Sequence, residues 1–359
     1  ILEDKTSQWA RLKRWLELEQ AEQVEQLRQN EICSNDCLYL IDEAKREYPQ
    51  GTFASRVVGV ANYEGVGVTG VEQFYDTDIK GITGTLSVER SGSVDQQPIW
   101  IAPQEVVEPQ DGKDVVLTID SAIQKMAEDE LQRLVLERDP DSATIMVMDP
   151  YTGEVLALAT MPGFDPNQFT AYSLDQINAN DAIGKVYEPG STFKPIVTAA
   201  GLQTGAFTAT TTVSDTGCVQ RGGFSICNWN SKPNGEITPG QMLYYSSNVG
   251  ALQFGEMIGA EDFYNYVKLF GYGKQTGVDL GGEEEGIVKW PDGQVWTTTD
   301  LSTNSFGQGI GVTPLQHLNA YGALANGGLL MWPHVVKEIC EADQCTPVEP
   351  RVIRRVIDP

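Results

Sequence analysis

Apolar residues punctuate a polar N-terminal stretch. Trp9, Leu12, Trp15, Leu16 and Leu18 stand among Glu, Gln and Arg, and the pattern predicts an amphipathic helix from Thr6 to about Asn30. The texture changes at Tyr48-Pro-Gln-Gly51, a turn signal. Phe53 to Val60 is β-prone, and glycines recur at 59, 65, 67, 70, 81 and 84, which predicts an irregular, strand-rich module. The acid- and proline-bearing stretch from Gln97 to Gly112 reads as the linker out of it.

A second module opens on Asp114-Val-Val-Leu-Thr-Ile-Asp120, a strand, followed by a helix from Ser121 to about Glu137 with Ser121 as its N-cap. Two apolar runs, Thr144–Met148 and Glu154–Ala159, flank Asp149-Pro-Tyr-Thr-Gly153 and predict a β-hairpin. Helical and loop-like sequence continues to about Gly328. The division is thus 1–110 and 111–359.

Charge and cysteines narrow the class. Fifty acids against 25 bases give a formal charge of -25, which disfavours nucleic acid or an anionic membrane as partner, since both need a basic face. No run of about 18 apolar residues is present to span a membrane. Six cysteines fall into local pairs, Cys33/Cys37, Cys218/Cys227 and Cys340/Cys345. The pairs suit short-loop disulfides and an oxidising compartment; free buried thiols are the other reading, and spacing does not decide. A zinc site fits poorly, for want of paired CxxC spacing and with only two histidines. Those two, His317 in a helical run and His334 after Trp332-Pro333, read as structural, which disfavours a Ser-His-Asp hydrolase.

The chemistry gathers at Tyr187-Glu-Pro-Gly-Ser191-Thr-Phe-Lys194-Pro195. Pro-Gly precedes a helix start at Ser191, and a residue three positions on shares its face, so Lys194 reaches Ser191. A serine hydroxyl needs a base, and a lysine amine serves once desolvation or a helix N-terminus depresses its pKa. The other reading is a helix start with an exposed lysine. A second element, Tyr244-Tyr-Ser246-Ser-Asn248-Val-Gly250, follows. Ser246 supplies a second hydroxyl to relay a proton, and Asn248 an amide that both donates and accepts.

Ser-x-x-Lys followed by Ser-x-Asn resembles the motif set of penicillin-binding proteins. The surroundings are similar to the class B branch: Leu117-Thr-Ile-Asp120 with Gln124, Asp149-Pro-Tyr-Thr-Gly-Glu-Val-Leu-Ala157, Phe306-Gly-Gln-Gly-Ile-Gly-Val-Thr-Pro-Leu-Gln316 and Ala325-Asn-Gly-Gly328. Upstream, Tyr48-Pro-Gln-Gly51, Val58-Gly59 and Gly70-Val-Glu72 with Tyr75 and Asp76 resemble the pedestal module of that branch. The resemblance implies an α/β fold of the α+β type: an antiparallel sheet flanked by helices, over a β-rich pedestal.

It also implies a serine DD-transpeptidase that cross-links peptidoglycan stem peptides and is acylated by β-lactams, without cofactor or metal. Ser191 would be the acylated nucleophile and Lys194 its base. Ser246 would be the relay, and Asn248 the residue orienting lysine and donor peptide. The implied setting is the periplasmic or extracellular face of the cytoplasmic membrane, through an anchor outside this sequence. A glycosyltransferase and other division or elongation proteins would be partners. A catalytically silent scaffold, or a β-lactamase or carboxypeptidase, are the alternatives.

The family's third motif, Lys-Thr/Ser-Gly, does not occur in the sequence. Lys274-Gln-Thr-Gly277 carries an inserted Gln and reads as a structural loop. The expectation is a longer polypeptide whose later strand supplies the motif; a truncated, inactive chain is the other reading.

Overall fold

The computed structural model describes residues 10–28, 38–41, 43–87 and 105–359. Cys33, Cys37 and the first half of the linker, 97–104, lie outside them. The first helix, α1 (Leu18–Arg28), is shorter than the pattern predicts and buries none of its residues. Trp15 precedes it in a left-handed conformation, its ring 5.0 Å from that of Tyr63.

Tyr48–Gly51 is a turn, closed by the Gly51 N–H on the Tyr48 carbonyl at 3.0 Å. The β-prone reading of Phe53–Val60 is corrected over most of its length: Ser55–Val58 is a single helical turn, and only Val60–Ala61 is strand, paired antiparallel with Gly67–Thr69. The cause is Arg56. Its buried guanidinium donates to the carbonyls of Gln176, Ile177 and Pro162 at 2.6, 2.8 and 2.8 Å, a long-range demand that local β propensity does not record. A Cβ at Gly59 would fall 1.8 Å from the Thr69 carbonyl oxygen, so the close strand approach there requires glycine.

Strand β1 (Asp114–Leu117) leads into α2 (Ser121–Arg138). The helix is capped by Asp120, one residue before the expected Ser121. The Asp120 carboxylate accepts from the N–H groups of Ala122 and Ile123 at 2.9 and 3.0 Å, and its charge favours the positive helix start. Next come β2 (Ala143–Met148) and β3 (Val155–Met161), the predicted hairpin, antiparallel in register from Ala143↔Met161 to Met148↔Val155. Ala127 and Leu131 of α2 pack on Ala157 and Ala159 of β3. Gln124, fully buried, bonds both the carbonyl and the N–H of Leu158, locking helix to strand.

Helix α3 (Lys194–Thr204) starts the helical layer. Four short strands follow where helix and loop were expected: β4 (Val213–Asp215), β5 (Cys218–Arg221), β6 (Phe224–Cys227) and β7 (Gly235–Ile237). Segments of three or four residues are too short to show alternation. β5 pairs with β6, and β4 with β7, both antiparallel. Then come α4 (Pro239–Tyr245), α5 (Asn248–Ile258), α6 (Ala260–Leu269) and α7 (Pro314–Ala325). The last strands are β8 (Leu329–Met331), β9 (Val336–Glu341), β10 (Gln344–Pro347) and β11 (Val352–Arg355). β9 lies between β10 and β1, and β8 pairs with β11.

Disulfides Cys218–Cys227 and Cys340–Cys345 join facing residues of β5/β6 and β9/β10, as two of the local pairs suggested. The main core gathers Phe193, Ile196 and Val197 with Phe254, Phe263 and Ile310. Each such side chain contributes about 1.5–3 kcal/mol on burial. A second core joins Ala54, Val57 and Val71 to Val155, Leu158, Ile183 and Val335, so the segment around Ser55 is seated on the hairpin. Among the described residues no helix is long and apolar enough to cross a membrane.

Candidate active site

Gly190–Phe193 forms a 3-10 turn that runs straight into α3, so Ser191 and Lys194 come to one face as the spacing predicts. The Gly190 N–H donates to the Gly307 carbonyl at 2.9 Å. A Cβ at Gly307 would lie 2.1 Å from the Gly190 carbonyl oxygen, so Phe306-Gly-Gln-Gly309 packs its backbone directly on the turn, and the Gly309 N–H donates to Glu188 Oε1 at 2.8 Å. Ser191 is exposed and Lys194 fully buried.

Four oxygens surround the Lys194 Nζ: Ser191 Oγ at 3.0 Å, the Ser246 carbonyl at 2.7 Å, Ser246 Oγ at 3.1 Å and Asn248 Oδ1 at 2.9 Å. The structure therefore brings all four singled-out residues together around one amine. Burial pushes the Lys194 pKa down to about 8. A neutral amine has two N–H donors and one lone pair. The Ser246 carbonyl and Asn248 Oδ1 only accept, so they take the two donors and leave the lone pair for a hydroxyl.

The second motif is held in place by residues that local sequence did not indicate. Ser246 ends α4 in a left-handed conformation, φ 53°, an unusual backbone for a serine, and this turns its carbonyl to Lys194. Ser247 caps α5: its Oγ accepts from the Gly250 N–H at 2.8 Å and donates to Asp215 at 2.7 Å. Asn228 Oδ1 accepts from the N–H groups of Asn248 and Val249 at 2.9 and 3.2 Å. Asn248 Nδ2 donates to the Cys227 carbonyl at 3.0 Å, which fixes Oδ1 toward lysine. Burial pushes the Asp215 carboxyl up, but hydrogen bonds from Asn234, Ser247, the Gly217 N–H and Asn228 outweigh it and hold the group below the usual range. Asp215 and Asn228 lie 20 or more residues before the atoms they hold; the only sequence signal was the Cys218/Cys227 pair marking the hairpin between them.

The remaining candidates resolve as follows. Thr276 and Gly277 of the Lys-Gln-Thr-Gly stretch donate their N–H groups to Glu283 in the loop after α6. Glu338 lies beside Cys340 and Cys345, but those sulfurs are bonded to one another, which leaves no thiolate ligands. Tyr75 of the upstream motif donates to Asp279 at 3.0 Å, and Asp76 accepts from the Gly67 N–H at 2.7 Å.

Comparison with known proteins identifies the family. Residues 143–357 match the penicillin binding protein transpeptidase domain. Stage V sporulation protein D of Bacillus subtilis is 34% identical over 302 residues, 84% of this chain and 46% of the relative. The peptidoglycan D,D-transpeptidase FtsI of Escherichia coli is 30% identical, over 81% of this chain and 48% of its own length. The chain thus spans about half the length of these curated relatives. Penicillin binding protein 3 from Mycobacterium tuberculosis, solved in complex with aztreonam, superposes with a TM-score of 0.75 at 30% identity, covering 88% of this chain and 66% of that one. With three-fifths of its residues inside the matched domain and its Ser-x-x-Lys and Ser-x-Asn side chains gathered on one buried amine, the chain belongs to the penicillin-binding protein transpeptidase family.

Proposed function

We propose that this protein is a serine DD-transpeptidase that joins peptidoglycan stem peptides through an acyl-enzyme on Ser191. The observation that carries the reading is the buried Lys194 amine, 3.0 Å from Ser191 Oγ, with its two N–H groups taken by obligate acceptors.

In this reading the Lys194 lone pair takes the Ser191 proton as Oγ attacks the carbonyl carbon of the penultimate D-alanine. The Ser191 N–H donates to the developing oxyanion. The proton passes from Lys194 through Ser246 Oγ, 3.1 Å away, to the leaving nitrogen, and D-alanine departs. A stem-peptide amine then attacks the ester carbonyl, gives its proton back along the same route, and frees Ser191. A β-lactam enters by the first step, its ring amide bond opening as the ester forms. Asn248 holds lysine with one end and is placed to meet the donor peptide.

The family resemblance supports the setting as well: the outer face of the cytoplasmic membrane, beside a glycosyltransferase that lays down the strands to be joined. It also supports the division at 110/111 into pedestal and catalytic units. The deciding experiment incubates the full-length protein with an N-acyl-Lys-D-Ala-D-Ala tripeptide and a D-amino acid acceptor. The expected result is release of D-alanine with transfer to the acceptor, both lost in Ser191→Ala. Release into water alone would point to a carboxypeptidase, and no release by folded protein to a scaffold.

A further inference from the structure

The turn that carries Ser191 is also held by a helix distant in sequence. Helix α7 presents His317 and Tyr321, four residues apart and so on one face, to Thr192. Tyr321 Oη donates to the Thr192 carbonyl at 2.6 Å. The Thr192 hydroxyl donates to the Pro189 carbonyl at 2.7 Å, which commits its only hydrogen. Toward His317 Nε2, at 2.9 Å, Thr192 Oγ1 can therefore only accept, so Nε2 carries the ring proton. The bare Nδ1 then accepts from Tyr272 Oη at 2.8 Å, and the hydroxyl of fully buried Tyr272 gains its partner. The bonds run one way: Tyr272 to His317, His317 to Thr192, Thr192 to Pro189.

We propose that His317, as its Nε2–H tautomer, is a positioning residue that fixes the Pro189–Thr192 turn and thereby aims Ser191 Oγ at the Lys194 amine. The proposal rests on the reading that Ser191 is acylated. Burial keeps the imidazole neutral, its pKa pushed down to about 4, so the ring keeps one donor and one acceptor at working pH. The Phe193 ring lies nearly parallel to it, 12° between planes and 6.5 Å between centroids. Among the described residues the turn has no side-chain N-cap of its own, so the anchor must come from elsewhere in the fold.

The test uses full-length protein with Ser191 acylation followed by a fluorescent penicillin, separated into a binding constant and a first-order acylation constant. His317→Phe should lower the acylation constant about 10–100-fold with the binding constant little changed, the scale expected when a nucleophile is displaced by about 1 Å. His317→Gln, which offers an acceptor and a donor in the same order, should recover most of the loss. Thr192→Val should fail and Thr192→Ser recover, a comparison that stands if His317→Phe does not fold. Nitrogen-15 NMR of the unmodified protein should show His317 protonated at Nε2. An Nδ1–H tautomer, or folded His317→Phe acylated at the unmodified rate, would overturn the proposal. If the unmodified protein is not acylated, the Ser191 reading falls, and the tautomer measurement still judges the hydrogen-bond chain.

Discussion

Asn228 Oδ1 receives the backbone N–H of Asn248 at 2.9 Å, so a side chain at the end of hairpin β5–β6 sets the start of the helix that carries a Lys194 partner. The same Asn228 donates to Asp215 and to the Lys232 carbonyl, tying hairpin, loop and helix together. Asn228→Ala leaves the Asn248 and Val249 N–H groups without their acceptor and Asp215 short of a donor. The expected loss of stability is about 2–4 kcal/mol, measured by denaturant unfolding, together with slower acylation of Ser191.

Lys194 predicts a pH profile. Its pKa, about 8 instead of the usual 10.5, leaves the amine protonated below pH 8, where it cannot accept the serine proton. Acylation rates should therefore rise through pH 8 and level off above. Lys194→Arg, protonated throughout, should give no acylation at any pH. Stability has the same sign: between about pH 8 and 10.5 the unfolded chain holds a proton that the folded one does not. Lys194 thus makes folding more favourable as pH rises through that window, a trend absent in Lys194→Met.

Asp279 tests the seating of the upstream segment. Fully buried, it accepts from the N–H groups of Val335 and Val336 at 2.7 and 3.0 Å and from Tyr75 Oη at 3.0 Å. Asp279→Ala orphans two buried N–H groups and should cost about 3 kcal/mol. Burial pushes the Asp279 carboxyl above the usual range despite those bonds. Its contribution is therefore full below the ordinary carboxylate pKa and declines as pH rises through the raised one. Unfolding curves at several pH values should show that decline, and Asp279→Asn should abolish it.

The parts of the site legible in the sequence were those set by short spacings. Ser191 and Lys194 are three apart at a helix start, and Ser246 and Asn248 straddle a helix cap. Motif order then implied that the two pairs meet. The hairpin around Asp149-Pro-Tyr-Thr-Gly was legible because two long apolar runs flank a strong turn. What stayed hidden depends on partners distant in sequence. Phe53–Val60 reads as strand until Arg56 finds the carbonyls at 162, 176 and 177. Asp120 and Ser121 are both good N-caps, and only geometry separates them. Asp215, Asn228 and His317 look like ordinary polar residues because their contacts cross 32, 20 and 125 positions.

The central claim is that Ser191 is an activated nucleophile, and its most direct test is a covalent one. Full-length protein is treated with a fluorescent penicillin, weighed intact, digested and mapped. The account predicts one adduct per chain, on the peptide containing Ser191, absent in Ser191→Ala and in Lys194→Arg. A folded protein that takes up no label, or whose label sits on another residue and persists in Ser191→Ala, would contradict it.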